Sequence, residues 1–510
     1  MSRLATSGAP GDSSGAGRFR RGHDGLCSLP RSAWVCALVA TLNALCWAAI
    51  TPTFWVPDEP AHAGYAQFVA ERGALPGLST NTDALRVPGA GEEQATVYGN
   101  LPFGVEGKPS WLASDDARIT RQLDGGGLGR SNAGQALNTS QSPPLYYALE
   151  AIPYRIAYDA NYLDRIFAMR AFSALFAGLT ALFVFLFLRQ VLPGRPWAWT
   201  VGSLAVAFQP VMGFVSGGIN NDALVYATSA ATLWGLARAF RRGLTVGSGA
   251  LIGATLALGL LTKLTTLALL PGVAIGVLVL LWRGWREGRR PAIAGAVTLV
   301  MAGGIPYGAW LVANRLFTER SPAPAGGIIS ASASGGADAL LDQLGYLWQS
   351  VLPRLPFMNE QLPSYYTPWE VYFKGFVGRF GWNQYGFPSG WYWVALAIFT
   401  VILALAATAL VRHRAALRPR AGELVTYAAL FLGVLFAVEL AAYRYQLGLG
   451  VTFEQARYLF PALALYGGLI AVAAIGAGPR WGRPVGAFLI VLAMGHSLFS
   501  QLLTLARFYA

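Results

Sequence analysis

Apolar residues run along this chain in long unbroken blocks, separated by short basic stretches or by long polar ones. Blocks of about 20 residues match the roughly 30 Å hydrocarbon thickness of a bilayer. They predict an all-α polytopic membrane protein with about 11 transmembrane helices. The spans fall near 33–51, 165–188, 197–215, 221–240, 247–263, 265–282, 291–313, 390–411, 422–441, 456–476 and 484–505. The segment 247–282 holds either two short spans parted near Lys263 or one broken hairpin. The first block follows a basic flank and could be a signal peptide. Its length and the structured motif directly after it favour an uncleaved span.

Composition agrees with the pattern. Of 510 residues, 54% are hydrophobic and 12% charged, against about 25% charged in a soluble chain. Residues 1–32, rich in Gly, Ser and Arg, read as a disordered cytoplasmic tail, and residues 33–510 as a single transmembrane domain. The net charge of +13 sits in short clusters between spans, with no basic groove of interleaved aromatics. It therefore argues for membrane topology, not nucleic acid. Arg189 with Arg195, Arg238 to Arg242, Arg283 to Arg290, Arg412 to Arg420, and Arg480 with Arg483 all fall on the side of the N-terminal arginines. That side is expected to be cytoplasmic, with the C-terminus outside, in a multi-pass protein of the plasma (inner) membrane. Three cysteines, Cys27, Cys36 and Cys46, give no disulfide framework and no metal-site spacing.

The same orientation places two long loops, 52–164 and 314–389, on the outer face, where loop-borne chemistry is expected. The first opens with Phe-Trp-Val-Pro-Asp-Glu-Pro-Ala-His at 54–62. Asp58 or Glu59 can cap an interfacial helix that begins at Pro60 and runs to about Arg72. His62 lies one turn from both acids, so the three can face one space. Ser142-Pro143-Pro144-Leu145-Tyr146-Tyr147 signals a second interfacial helix, with Ser142 as cap and Tyr146, Tyr147, Tyr154 and Tyr158 suited to the headgroup layer. The glycine-rich 125–129 reads as mobile loop, and Asn-Thr-Ser at 138–140 fits a glycosylation acceptor.

Further polar signals stand at outer span ends and in the second long loop. Asn220-Asn221-Asp222 reads as a helix start. Lys263 is an isolated cation in an apolar hairpin, either functional or snorkelling from a helix end. Gly375 to Asn383, with Arg379 among glycines and aromatics, suits a phosphate or sugar cradle or a set of interfacial anchors. Arg457 and Tyr458, in Glu454-Gln455-Ala456-Arg457-Tyr458-Leu459-Phe460-Pro461, stand at the mouth of a span. There Arg457 can meet an anion or pair with Glu454.

Taken in order, Val-Pro-Asp-Glu-Pro-Ala-His, Pro-Pro-Leu-Tyr-Tyr, Asn-Asn-Asp-Ala-Leu, Leu-Thr-Lys, Gly-Arg-Phe-Gly-Trp and Ala-Arg-Tyr-Leu-Phe-Pro-Ala resemble the GT-C superfamily of membrane glycosyltransferases. More narrowly, they resemble a bacterial branch filed as a domain of unknown function. The resemblance covers about 50–505. It implies a GT-C-like bundle and a polyprenyl-phosphate sugar donor drawn from the membrane lipids. The acceptor would be an outer-face glycan, lipid or protein of the cell envelope, and the acidic pair would occupy the catalytic carboxylate position. Many members carry an outer C-terminal domain; here the chain stops at Ala510, so acceptor recognition is expected from the loops or a partner.

The expected reaction is a hexosyl or pentosyl transfer by single displacement, hence inverting. Asp58 is the expected base, with Glu59 beside it. Glu59 and His62 orient it or bind sugar hydroxyls. Lys263, Arg379 and Arg457, with Tyr458, bind the leaving phosphate and substrate. A divalent metal at Asp58-Glu59 remains open. The alternative is a multispan transporter or flippase of a lipid-linked or small solute, which predicts polar groups through the depth of several spans and inverted repeats. Glu439 is one such residue. A non-catalytic scaffold would need no clustered charges.

Overall fold

The computed structural model describes residues 29–76, 117, 121, 142–287, 289–317, 337–362, 366–449 and 454–509. Most of the predicted tail, the glycine-rich 125–129 and the Asn-Thr-Ser triplet lie outside these residues.

A helix stands at every predicted span. The chain opens with α1 (Arg31–Ile50), continues through the loop helices α2 (Glu59–Arg72) and α3 (Leu145–Ile156), and re-enters the bundle as α4 (Tyr162–Val191). Then come α5 (Pro196–Ala207), α6 (Pro210–Ser216), α7 (Asp222–Arg242), α8 (Val246–Leu260), α9 (Leu270–Glu287) and α10 (Arg289–Phe317). The second loop holds α11 (Ala337–Gln349), the short α12 (Lys374–Gly378) and a small antiparallel pair, β1 (Arg379–Phe380) with β2 (Tyr385–Gly386). The last part comprises α13 (Ser389–Arg412), the four-residue α14 (Arg414–Leu417), α15 (Ala421–Leu449), α16 (Leu463–Gly476) and α17 (Gly478–Phe508).

The count of about eleven spans is not reached. Among the described residues, eight helices are long and apolar enough to cross a bilayer, or nine if the bent pair α5–α6 is one span. Each shortfall has a physical cause. Pro210, which has no N–H, opens α6, and the axis turns by 60° there. The Gln209 side chain accepts from the Met212 N–H at 2.6 Å and so caps the new helix. α7 is long enough but carries Tyr, Thr, Ser and Trp, and nearly all of it packs against protein, so it needs no lipid-facing apolar surface. α8 is apolar but has only 15 residues. After it the chain breaks at Leu261–Lys263 and resumes as a 3₁₀ turn, Leu264–Leu269, leading into α9. Gly249 of α8 lies so close to the Gly295 carbonyl of α10 that a Cβ would sit 2.0 Å from that oxygen.

The two ends of the bundle differ in chemistry. At one end Arg241 donates to the Gln190 carbonyl (2.8 Å), Arg420 to that of Val191 (2.9 Å) and Arg412 to that of Gly476 (2.9 Å). Arg241 and Arg420 also clamp the buried Glu423, each at 2.9 Å. Arginine at the C-terminal carbonyls of α4 and α16 suits the helix dipole. The loop helices, the β-pair and the C-terminal end of α17, where Phe508 meets Trp55 and Tyr385, lie at the opposite end.

Candidate functional site

The adjacent acids Asp58 and Glu59 serve different networks. Glu59 is fully buried, and both of its oxygens are taken. Oε1 accepts from Arg170 Nε (2.7 Å) and the Ile219 N–H (3.0 Å), and Oε2 from Arg170 Nη2 (2.6 Å) and the Phe54 N–H (2.8 Å). Arg170 also donates to the carbonyls of Ala48, Thr51 and Pro52. Glu59 thus ties the exit of α1 to α4 and to the turn before α7. That turn is glycine for steric reasons: a Cβ on Gly218 would strike Val56 at 2.4 Å. Asn220 completes the tie by donating to the Pro57 carbonyl at 2.8 Å.

Asp58 faces the other way. It is in the left-handed region, φ 63°, a strained conformation for a residue with a Cβ. Its side chain does not cap α2, which begins at Glu59, one residue earlier than the sequence implies. Instead it accepts from Arg457 Nη2 at 3.1 Å. The same guanidinium donates through Nη1 to Asp222 (3.2 Å) and through Nε to Gln455 (2.8 Å). Lys263, in the extended break after α8, reaches Asp222 at 2.5 Å. It therefore does not snorkel, and Arg457 does not turn to Glu454, which receives the Tyr346 hydroxyl. Tyr458 lies under both cations, 5.4 Å from the Lys263 Nζ and 4.9 Å from the Arg457 guanidinium carbon. Four distant segments thus form one alternating chain: Lys263, Asp222, Arg457, Asp58.

His62, buried on α2, shares a 2.9 Å hydrogen bond between Nδ1 and the Tyr147 hydroxyl, which Asn221 also donates to at 3.3 Å. Burial pushes His62 down to about 4, against the raising effect of Asp58, so the ring is neutral at pH 7. Tyr146, Tyr147 and Tyr154 are buried between α2, α3 and α4, not exposed at a headgroup layer. Ser142 makes no capping bond; its carbonyl accepts from Tyr65.

Residues 42–466 match the family model described as "Predicted membrane protein (DUF2142)". The chain belongs to that DUF2142 family. No curated protein matches it. Membership places the member among predicted membrane proteins, in accord with its apolar helices.

Beside the charge chain lies a cleft lined by Arg457, Gln455, Arg379, Asn383 and the apolar Val211, Phe214 and Val215. Arg379 enters it from β1, where it pairs with Glu370, which also holds Lys374 at 2.5 Å. Gly381 and Asn383, both at φ 63°, make the tight turn of the β-pair. Phe380 is buried against Trp47 and Phe214 and is no interfacial anchor. Of the predicted site residues only Arg379 and Arg457 line the cleft; Asp58, His62, Lys263 and Tyr458 do not, and Asp58 reaches it only through its bond to Arg457. Among the described residues no three His, Cys, Asp or Glu groups gather to hold a metal ion. With Glu59 saturated by Arg170, the acidic pair does not fit a metal.

Two residues matter more than the sequence suggests. Asp222 reads as a helix start but is the hub for both cations. Arg170, an isolated cation within an apolar span, carries the signal of a residue that must be paired.

Proposed function

We propose that this DUF2142 member is an inverting glycosyltransferase. It moves a hexosyl or pentosyl unit from a polyprenyl-phosphate donor to a cell-envelope glycan, lipid or protein. The observation that carries the reading is the meeting of Asp58, Asp222, Lys263, Arg457 and Tyr458 at the loop end of the bundle, beside a cleft that adds Arg379. On the arginine topology that end faces outward, in the plasma membrane, with the N-terminus cytoplasmic.

In the proposed step the acceptor oxygen attacks the anomeric carbon, and its proton passes to Asp58. The bond between that carbon and the phosphate oxygen breaks, and its electron pair leaves with the polyprenyl phosphate. Arg457 and Arg379 stabilise that growing charge, with Lys263 behind them. The apolar Val211, Phe214 and Val215 would meet the first isoprene units once the cleft, water-sized at rest, widens around the donor. Asp58 is held by Arg457 at rest, so a phosphate that takes Arg457 frees the carboxylate to act as base. His62, neutral, accepts or donates to sugar hydroxyls, and Glu59 keeps Asp58 in place from behind. No step needs a metal.

Purified protein in liposomes, given labelled polyprenyl-phosphate sugars and envelope acceptors, is expected to move the label, whereas Asp58→Asn is not. Solute flux across the liposomes without transfer would favour the transporter reading.

A further inference from the structure

A second cavity lies outside the charge chain, between α15, the end of α11 and the segment before α12. Its polar lining consists of Ser350, Tyr366, Thr367, Tyr372, Glu439 and Glu454. Every one of these side chains ends in oxygen, and among the described residues no lysine, arginine or histidine lines the space. Glu439 is 1% exposed and Glu454 2%. The Tyr372 hydroxyl donates to Glu439 Oε1, and the Tyr346 hydroxyl to Glu454. Glu439 Oε2 is buried and has no hydrogen-bond partner among the described residues. Such an orphaned acceptor calls for an occupant, water or ion, and an acid inside a span is costly without one.

We propose that this cavity is a binding site for a single hard cation of the calcium class. Calcium takes six to eight oxygen ligands in irregular geometry, carboxylates first among them; here the two carboxylates would be the charged ligands, with water completing the shell. The space is small, fit for one ion or one water. Magnesium, which sheds its water reluctantly, suits it less well. A divalent ion would neutralise both carboxylates. It would also brace the segment 454–457, whose Glu454 lines this cavity and whose Gln455 and Arg457 line the cleft. The inference is independent of the glycosyltransferase reading.

The test is equilibrium binding of radioactive calcium to the full chain in detergent, after chelator treatment. The titration covers about 0.1–10 mM, since extracellular calcium sites bind at roughly 10⁻⁴–10⁻³ M. Thermal unfolding is followed in parallel. One saturable site per chain is expected, with a calcium-dependent rise in Tm that matched sodium or choline chloride does not give. Glu439→Gln is expected to lose both while unfolding normally in chelator, and Glu454→Gln to weaken binding at least tenfold. The exposed Glu360→Gln should bind as wild type. Absence of a saturable site in the wild type, which would leave only a buried water, overturns the proposal. So does full binding in either Glu439→Gln or Glu454→Gln.

Discussion

Replacing Glu59 with glutamine removes one oxygen and puts two N–H donors in its place. The carboxylate now receives four donors: two from Arg170 and the N–H groups of Phe54 and Ile219. Whichever way the amide turns, its NH₂ faces two of them. Arg170, 3% exposed, then loses its counter-charge. Breaking one partner of a buried ion pair costs about 3–5 kcal/mol. The neighbouring change Asp58→Asn is far milder. Asp58 is 21% exposed, and Arg457 keeps Asp222, Gln455 and Tyr458 as partners. Losing a single hydrogen bond to a charged group costs about 1.5–3 kcal/mol. Adjacent carboxylates therefore give opposite outcomes. Glu59→Gln should unfold well below the wild type when tryptophan fluorescence is followed on heating in detergent. Asp58→Asn should unfold much closer to the wild type and fail in sugar transfer by about 10²–10⁴-fold. Equal Tm values for wild type and Glu59→Gln would refute the division of labour, as would a loss in Asp58→Asn as large as in Glu59→Gln.

Three further outcomes follow from the same contacts. Arg457→Gln should lower transfer by about 10²–10³-fold, the usual effect of removing one group that stabilises developing negative charge; initial rates with labelled donor check it. His62, held near 4 when folded and near 6.5 when unfolded, contributes stability above pH 6.5 that is lost as pH falls toward 4. The slope is at most about 1.4 kcal/mol per pH unit, and His62→Gln should flatten the Tm profile between pH 6.5 and 5. Glu150 on α3 works in the opposite direction. Burial pushes it up to about 8, so the folded state keeps a proton that the unfolded state has released, and stability falls as pH rises from 4.5 toward 8. Glu150→Gln should raise Tm at pH 8 and remove that slope.

Helix positions were legible in the sequence because an apolar block of span length leaves the backbone few alternatives to a helix. The span count was not, because length and apolarity report contact with lipid. α7 is wrapped in protein, and α5–α6 bends at Pro210; neither fact appears in a hydropathy pattern. At the site, span ends pointed to Lys263 and Arg457, since a charge there must find a partner or water, and the glycine-aromatic run of the second outer loop pointed to Arg379. The partners themselves needed the fold. Asp222 looks like an ordinary helix start until Lys263 and Arg457 arrive from 41 and 235 residues away. Likewise, nothing in the dipeptide Asp58-Glu59 shows that a left-handed backbone at Asp58 turns the two side chains to opposite networks.

The central claim is that the charge chain at the loop end of the bundle moves a sugar off a lipid phosphate. Its most direct test uses wild-type protein and Asp58→Asn in liposomes carrying polyprenyl-phosphate sugars labelled in the sugar, with envelope acceptors outside. With the wild type at least one hexose or pentose label is expected to leave the lipid while polyprenyl phosphate accumulates in equal amount, and with Asp58→Asn at matched folding neither is expected. Label that stays on the lipid with every donor, or leaves it equally fast with Asp58→Asn, would rule out sugar transfer by this charge chain.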